Sequence, residues 1–142
     1  TFPLSSNIDS RQRGDAATQL SSLLSCMASK PGTAGAVITS ISDDCLYRSV
    51  SGECSAVKTW AQCRAGECQH GQNSWHYGGA NGSDRSLAVD FGNNSNSAAL
   101  RGVLEDAACE CNSNVRLLQE GGGSIGNSLH ISFGNSEGRE CN

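Results

Sequence analysis

The stretch Leu129-His130-Ile131-Ser132-Phe133 alternates apolar and polar side chains, which predicts a strand with one buried face. Its three apolar side chains lie on one face, and His130 and Ser132 lie on the other. A second stretch, Leu87-Ala88-Val89-Asp90-Phe91, has the same character and puts Asp90 on its polar face. If the two strands are neighbours, His130 and Asp90 point into the same cleft.

Further elements are predicted on both sides of these two strands. They are helices over 15–29 and 97–109, and strands over 36–40, 87–91, 115–120 and 129–133. The last two strands can form a hairpin across a glycine-rich turn. Residues 41–75 are predicted to be irregular, with a short helix at about 55–62. This order predicts an α+β fold with a small, mainly antiparallel sheet, two main helices and disulfide crosslinks.

The length and the charge limit the number of domains and the classes of partner. A chain of 142 residues is enough for a single domain, which we divide into an N-terminal arm at 1–14 and a core at 15–135. The net charge of −4 argues against nucleic acid as a partner. No apolar run approaches the roughly 20 residues of a membrane helix, so no membrane partner is expected either.

Eight cysteines in so short a chain predict four disulfides and a secreted, extracellular protein. They are Cys26, Cys45, Cys54, Cys63, Cys68, Cys109, Cys111 and Cys141. No Cys-x-x-Cys pair occurs, which disfavours a cysteine metal cluster. One residue separates Cys109 from Cys111, so these two are expected to bond to different partners. The first residue, Thr1, suggests a processed chain, and Asn81 and Asn93 begin glycosylation acceptor motifs.

Three side chains could form a metal site. His76 opens a glycine-rich loop, and together with Asp90 and His130 it supplies two imidazoles and one carboxylate, a donor set that suits Zn²⁺. Hydrolysis would also need a general base, and Glu120 at the end of a predicted strand is our candidate. In the competing interpretation, the strand histidine and the aspartate simply face solvent. His70 is interpreted as a surface residue of its loop, with a substrate contact as the alternative.

Several segments resemble the zinc D-alanyl-D-alanine carboxypeptidases, the LAS-type peptidases whose fold also forms the Hedgehog signalling domain. The central family motif, Ser-x-His-x-x-Gly followed by a small residue, Val and Asp, corresponds to Ser74-Trp75-His76-Tyr77-Gly78-Gly79 and Ala88-Val89-Asp90. The C-terminal histidine strand corresponds to Leu129-His130-Ile131-Ser132-Phe133-Gly134. Upstream, Ile38-Thr39-Ser40 and Tyr47-Arg48-Ser49 match two further family segments.

The resemblance implies a Hedgehog-like fold and a zinc peptidase that acts on short peptides such as the stem peptides of peptidoglycan. It makes His76, Asp90 and His130 the zinc ligands, and Glu120 the catalytic base. Arg48 would hold or polarise the substrate carbonyl. Tyr47, Arg48 and Ser74, which lie in the matching segments, are the expected substrate-binding residues, together with Trp75, which is adjacent to His76.

Two other functions stay open. The family's base lies a few residues before the last histidine, where this chain has no carboxylate between Ser124 and Ser128. The chain could therefore be a non-catalytic member of the fold that uses zinc for binding or assembly. Alternatively, two histidines, a glutamate and an arginine could form a metal-independent secreted ribonuclease.

Overall fold

The computed structural model describes residues 1–6, 8, 10–42, 45–48, 54–57, 70, 74–78, 85–121, 127–135 and 137–142. For 45–48, 54–57, 120, 121 and 127 it describes the backbone alone. The helices are α1 Gln12–Asp15, α2 Thr18–Ala28 and α3 Ala98–Cys111, with a 3₁₀ helix at Trp75–Tyr77. The strands are β1 Cys45–Arg48, β2 Cys54–Val57, β3 Ala88–Phe91, β4 Arg116–Gly121, β5 Asn127–Ser132 and β6 Arg139–Glu140. The predicted α+β class is confirmed.

Four strands form an antiparallel sheet in the order β3-β5-β4-β6. In its register Asp90 lies directly opposite His130, and Leu118 lies opposite His130 on the other side of β5. Partners that face each other in an antiparallel ladder project to the same side of the sheet. The Asp90 and His130 strands are therefore neighbours, which is the condition for the two side chains to share a cleft, and the predicted pairing of β4 with β5 is confirmed.

The opposite face of this sheet carries the hydrophobic core. Val89, Phe91, Leu129 and Ile131 are fully buried, as their alternation with polar residues predicts. Helices α2 and α3 pack against each other and contribute to the same core. The helical-face residues of α2 are buried, namely Leu20, Leu23, Leu24 and Met27. Ser97 caps the N-terminus of helix α3, and its side chain accepts a hydrogen bond from the Leu100 N–H.

The N-terminal arm packs onto this core. The Phe2 side chain is 4% exposed, and its ring meets the Phe91 ring edge-on with centroids 5.4 Å apart. Leu4 forms a parallel bridge with Ile38, and Ser40 forms an antiparallel bridge with Asp90. The strand predicted at 36–40 is thus reduced to isolated bridges, because each bridged residue has a different neighbour.

The predicted irregular region contains a hairpin. Strands β1 and β2 pair antiparallel in a two-stranded sheet, with irregular register between Cys45 and Arg48. The helix predicted at about 55–62 is wrong over 55–57, where pairing with β1 holds the chain extended. Residues 58–62 lie outside the described residues.

Two disulfides join the helices to each other and to the C-terminus. Cys26 on α2 bonds to Cys111 on α3, and Cys109 bonds to Cys141. Cys109 and Cys111 therefore have different partners, as predicted. The side chains of the other four cysteines lie outside the described residues. Within the described part of the chain, no helix has the length and apolar character needed to span a membrane.

Candidate metal centre

Asp90 and His130 are in direct contact at the centre. His130 Nδ1 lies 2.7 Å from Asp90 Oδ1, a hydrogen-bond distance set by their facing positions on β3 and β5. Both side chains are largely buried, with 18% of the Asp90 side chain and 6% of the His130 side chain exposed. The alternating pattern of the two strands therefore delivers a carboxylate and an imidazole to one point on the polar face of the sheet.

His76 approaches the same carboxylate from a separate element. It lies in the 3₁₀ helix, where the Ser74 hydroxyl oxygen accepts a hydrogen bond from the His76 backbone N–H. Its ring is 2% exposed, and Nε2 lies 3.2 Å from Asp90 Oδ2. The carboxylate thus faces a different imidazole with each of its two oxygens.

The orientation of the His76 ring is fixed from behind. Its Nδ1 lies 2.7 Å from the Ile41 carbonyl oxygen, which also accepts a hydrogen bond from the Ser86 hydroxyl. A carbonyl can only accept, so Nδ1 carries the proton, and in the neutral ring Nε2 presents a lone pair to Asp90. Gln12 holds the Ile41 segment in place, because its side-chain oxygen accepts from the backbone N–H groups of Ile41 and Ser42.

His70 is a third imidazole at this point. Its ring stacks on the His76 ring with centroids 4.0 Å apart, and its Nε2 lies 4.0 Å from Asp90 Oδ2. Ligand atoms of His70, His76 and Asp90 all lie within 4.8 Å of one another, so these three residues could bind a metal ion. The sequence interpretation of His70 as a surface residue missed this contact. Only 26% of the His70 side chain is exposed, and its ring stacks on the His76 ring.

The donor set fits a divalent cation. A lone pair on His76 Nε2 and a carboxylate oxygen 3.2 Å apart repel each other unless a proton or a cation lies between them. A ligating imidazole that donates its other N–H to a backbone carbonyl, as His76 does to Ile41, is the usual arrangement in metal proteins. The Ser40 hydroxyl, opposite Asp90 in its bridge, is buried with no hydrogen-bond partner in the described part of the chain. Because facing residues of an antiparallel bridge project to the same side, this hydroxyl lies on the same side of the bridge as the Asp90 carboxylate.

The charges at the centre stabilise one another. Burial alone would raise the pKa of Asp90, but the charges and hydrogen bonds of His76 and His130 outweigh it and hold that pKa well below its usual range. Burial would lower the pKa of His130, yet its hydrogen bonds to two carboxylates raise that pKa to about 10. The two carboxylates therefore stabilise the protonated form of His130.

The second of these carboxylates is Glu137, which sequence reasoning missed. Its Oε1 lies 2.5 Å from His130 Nε2, on the side of the ring away from Asp90. Burial acts to raise the pKa of Glu137, but the hydrogen bonds from His130 and Ser132 lower it overall. One sequence feature could have indicated Glu137. It follows the His130 strand and lies between Gly134 and Gly138, where a turn can return the chain to the sheet.

The other predicted site residues lie in the 3₁₀ helix and its cap, in β4 and in β1. The half-buried Trp75 lies against the backbone of Gly134, near the end of β5, and Ser74 caps the turn that holds His76. The backbone of Glu120 pairs with Ser128, one side-chain repeat beyond the Leu118–His130 pair. The backbones of Tyr47 and Arg48 lie in β1. The side chains of Glu120, Tyr47 and Arg48 lie outside the described residues.

Comparison with known proteins identifies no relative: no family model matches the chain, and no curated protein or solved structure is significantly similar to it. The geometry of the centre is therefore the basis for a functional proposal.

Proposed function

We propose that this chain is a zinc-dependent hydrolase of short peptides whose metal is held by His76, Asp90 and His130. The observation that carries the proposal is the convergence of imidazole nitrogens on both oxygens of one buried carboxylate, Asp90. Two imidazoles and a carboxylate form a catalytic zinc set that leaves one coordination position open. The Ile41 carbonyl supports the proposal, because it commits His76 Nε2 to accepting a cation.

Each residue has a role in this proposal. A zinc ion held here would acidify a water molecule to a pKa of about 7 and polarise a substrate carbonyl. Glu120 is the proposed base that takes the proton of the attacking water. Arg48 is the proposed group that holds the substrate carbonyl or a terminal carboxylate. Trp75, beside the end of β5, is the proposed wall of the substrate cleft.

The substrate class comes from the resemblance of the motif segments to D-alanyl-D-alanine carboxypeptidases. We therefore propose peptides of the bacterial cell-wall type as substrates. Secretion is proposed from the disulfides, since such crosslinks form and persist in oxidising compartments. A secreted enzyme would meet cell-wall peptides outside the cell that produces it.

The test combines metal analysis with hydrolysis of a short peptide ending in D-Ala-D-Ala. The wild-type protein is expected to contain about one zinc per chain and to lose hydrolysis on treatment with chelator. His76→Ala is expected to lose both zinc and hydrolysis. Glu110→Gln, at an exposed side chain paired with Lys30, is the matched control and should retain both. A wild-type protein that binds no zinc would reject the proposal.

One observation favours a non-catalytic zinc protein as the second candidate. His70 joins His76 and Asp90 in one ligand cluster while His130 contacts the other oxygen of the same carboxylate, so a fourth protein group lies next to the cluster. Four protein ligands close a zinc coordination sphere, which is typical of structural sites. The absorption spectrum of the cobalt-substituted protein distinguishes the two, because an open position responds to added azide whereas a closed one does not. Hydrolysis lost in Glu120→Gln with zinc retained would reject the non-catalytic role.

A further inference from the structure

His130 has a carboxylate on each side of its ring. Nδ1 faces Asp90 Oδ1 at 2.7 Å, and Nε2 faces Glu137 Oε1 at 2.5 Å. The two nitrogens of an imidazole point in divergent directions, so Asp90 and Glu137 cannot act on the same nitrogen. Because Asp90 also faces His76, Nδ1 is the His130 atom on the metal side of the ring.

We propose that Glu137 is a positioning residue that accepts the Nε2–H hydrogen bond of His130 and thereby commits Nδ1 to the metal. This inference rests on the proposed zinc centre and adds to it the atom through which His130 binds. The ring nitrogen that carries the proton decides which nitrogen can ligate, and a carboxylate acceptor selects that proton's place. Such a carboxylate also makes the imidazole a stronger donor to the metal.

The fold holds Glu137 in this position from both ends of its turn. Strand β5 ends at Ser132 and β6 begins at Arg139, which pairs with Leu117 of β4. Gly138 has a positive φ of 69°, and a side chain there would collide with the Leu117 carbonyl. A glycine is therefore required for the chain to return this closely to the sheet. The turn between β5 and β6 is thus attached to the same sheet that carries His130.

Glu137 is also placed unlike a general base. Its contact is with the His130 nitrogen turned away from Asp90, and its carboxylate also accepts from the Ser132 side chain. Both interactions orient the Glu137 carboxylate so that it fixes the position of the His130 ring. Loss of Glu137 should therefore weaken zinc binding and change the coordinating atom, whereas loss of a base would leave both unchanged.

The test measures zinc affinity by competition with a chelator, together with the ¹⁵N shifts of the His130 ring in the zinc-loaded chain. In the wild type, coordination through Nδ1 and a proton on Nε2 are expected. Glu137→Ala is expected to raise the zinc Kd about 10- to 100-fold and to allow coordination through Nε2. Glu137→Gln keeps an acceptor oxygen and is expected to fall between the two.

Glu140→Ala is the matched control, because this glutamate lies on the same segment, is exposed and contacts Arg116. Its zinc Kd and His130 shifts should match the wild type. Unchanged affinity and unchanged Nδ1 coordination in Glu137→Ala, with zinc bound by the wild type, would overturn the positioning role alone. Should Glu137→Ala fail to fold, the same comparison is made on Glu137→Gln, where wild-type affinity overturns it. A wild-type chain without zinc would instead overturn the centre itself.

Discussion

Asp90 is the residue on which the centre depends, because its two carboxylate oxygens have different partners. Oδ1 faces His130, whereas Oδ2 faces His76 and, at a longer distance, His70. A single metal ion in this space can therefore draw its third protein ligand from either of two imidazoles. The His130 nitrogen is at hydrogen-bond distance from the carboxylate, 2.7 Å, whereas the His70 nitrogen lies 4.0 Å away, in the cluster whose ligand atoms all lie within 4.8 Å of one another. The proposed zinc centre takes His130 as its third ligand.

This difference gives a prediction about the ligand set. A structural zinc site with four protein ligands contributes about 10–16 kcal/mol in all, so the loss of one protein ligand is worth roughly 3 kcal/mol, or about 100-fold in Kd. His130→Ala is expected to raise the zinc Kd by about this factor. His70→Ala is expected to change it less than about tenfold. Chelator competition on the two variants measures both effects, and the reverse order would assign His70 as the third ligand.

Gly134 yields a second prediction at the scale of one residue. A Cβ built on Gly134 would lie 2.5 Å from Trp75 Nε1, so the indole ring needs the bare backbone there. Gly134→Ala is expected to destabilise the fold by about 1–3 kcal/mol, because the ring must shift. Urea unfolding followed by tryptophan fluorescence measures the effect.

Gly102→Ala is the control for this substitution. Gly102 lies within α3, and an added Cβ there meets no atom within 4 Å. Alanine is expected to stabilise the helix by about 0.5–1 kcal/mol relative to glycine. Equal stability changes in the two variants would show that Trp75 does not constrain Gly134.

At the scale of elements, the local sequence patterns predicted individual strands and the face that each strand buries. Alternation in 87–91 and 129–133 predicted two strands and their buried faces, because a period of two fixes the face of every side chain. The meeting of Asp90 with His130 depended in addition on the two strands being neighbours, which the register of the sheet provides. The hairpin of β1 and β2 was not predicted. Its Cys54-Ser55-Ala56-Val57 strand has little β-branched content, so pairing rather than local preference determines it.

Contacts between distant segments could not be predicted from sequence. Glu137 reaches His130 because the turn after β5 folds back to pair β6 with β4, a register that no local pattern specifies. Gln12 accepts a hydrogen bond from the Ile41 backbone N–H, 29 residues away along the chain. Its position in the predicted N-terminal arm did not indicate this contact. The roles assigned to the side chains of Glu120 and Arg48 stay predictions.

The attachment of α1 to the Ile41 segment gives the prediction at this scale. Gln12 is buried and satisfies two backbone N–H groups, so Gln12→Ala leaves both without their acceptor. A loss of about 1–3 kcal/mol in unfolding free energy is expected. Gln19→Ala, at an exposed position of α2, should stay within about 0.5 kcal/mol of the wild type. Urea titration compares the two variants, and equal midpoints would contradict the attachment.

For the whole molecule, the disulfides are placed to act on the global fold while the metal centre is local. Cys26–Cys111 joins the two core helices across 85 residues, and Cys109–Cys141 ties the C-terminus to α3 across 32. The centre lies on the opposite face of the sheet from the apolar core. Removal of metal should therefore leave the core packing intact, whereas reduction releases the elements that enclose it.

This asymmetry predicts different responses to chelator and to reductant. Chelator is expected to remove zinc with little change in far-ultraviolet circular dichroism, while reductant lowers the melting temperature strongly. Loss of one disulfide should cost about 2–5 kcal/mol. By chain entropy, the pair Cys26→Ala and Cys111→Ala should cost about 0.9 kcal/mol more than the pair Cys109→Ala and Cys141→Ala, because the closed loop is longer. Thermal unfolding of the two double variants tests the order. A larger loss with chelator than with reductant would mean that the metal centre, rather than the helix crosslinks, holds the molecule together.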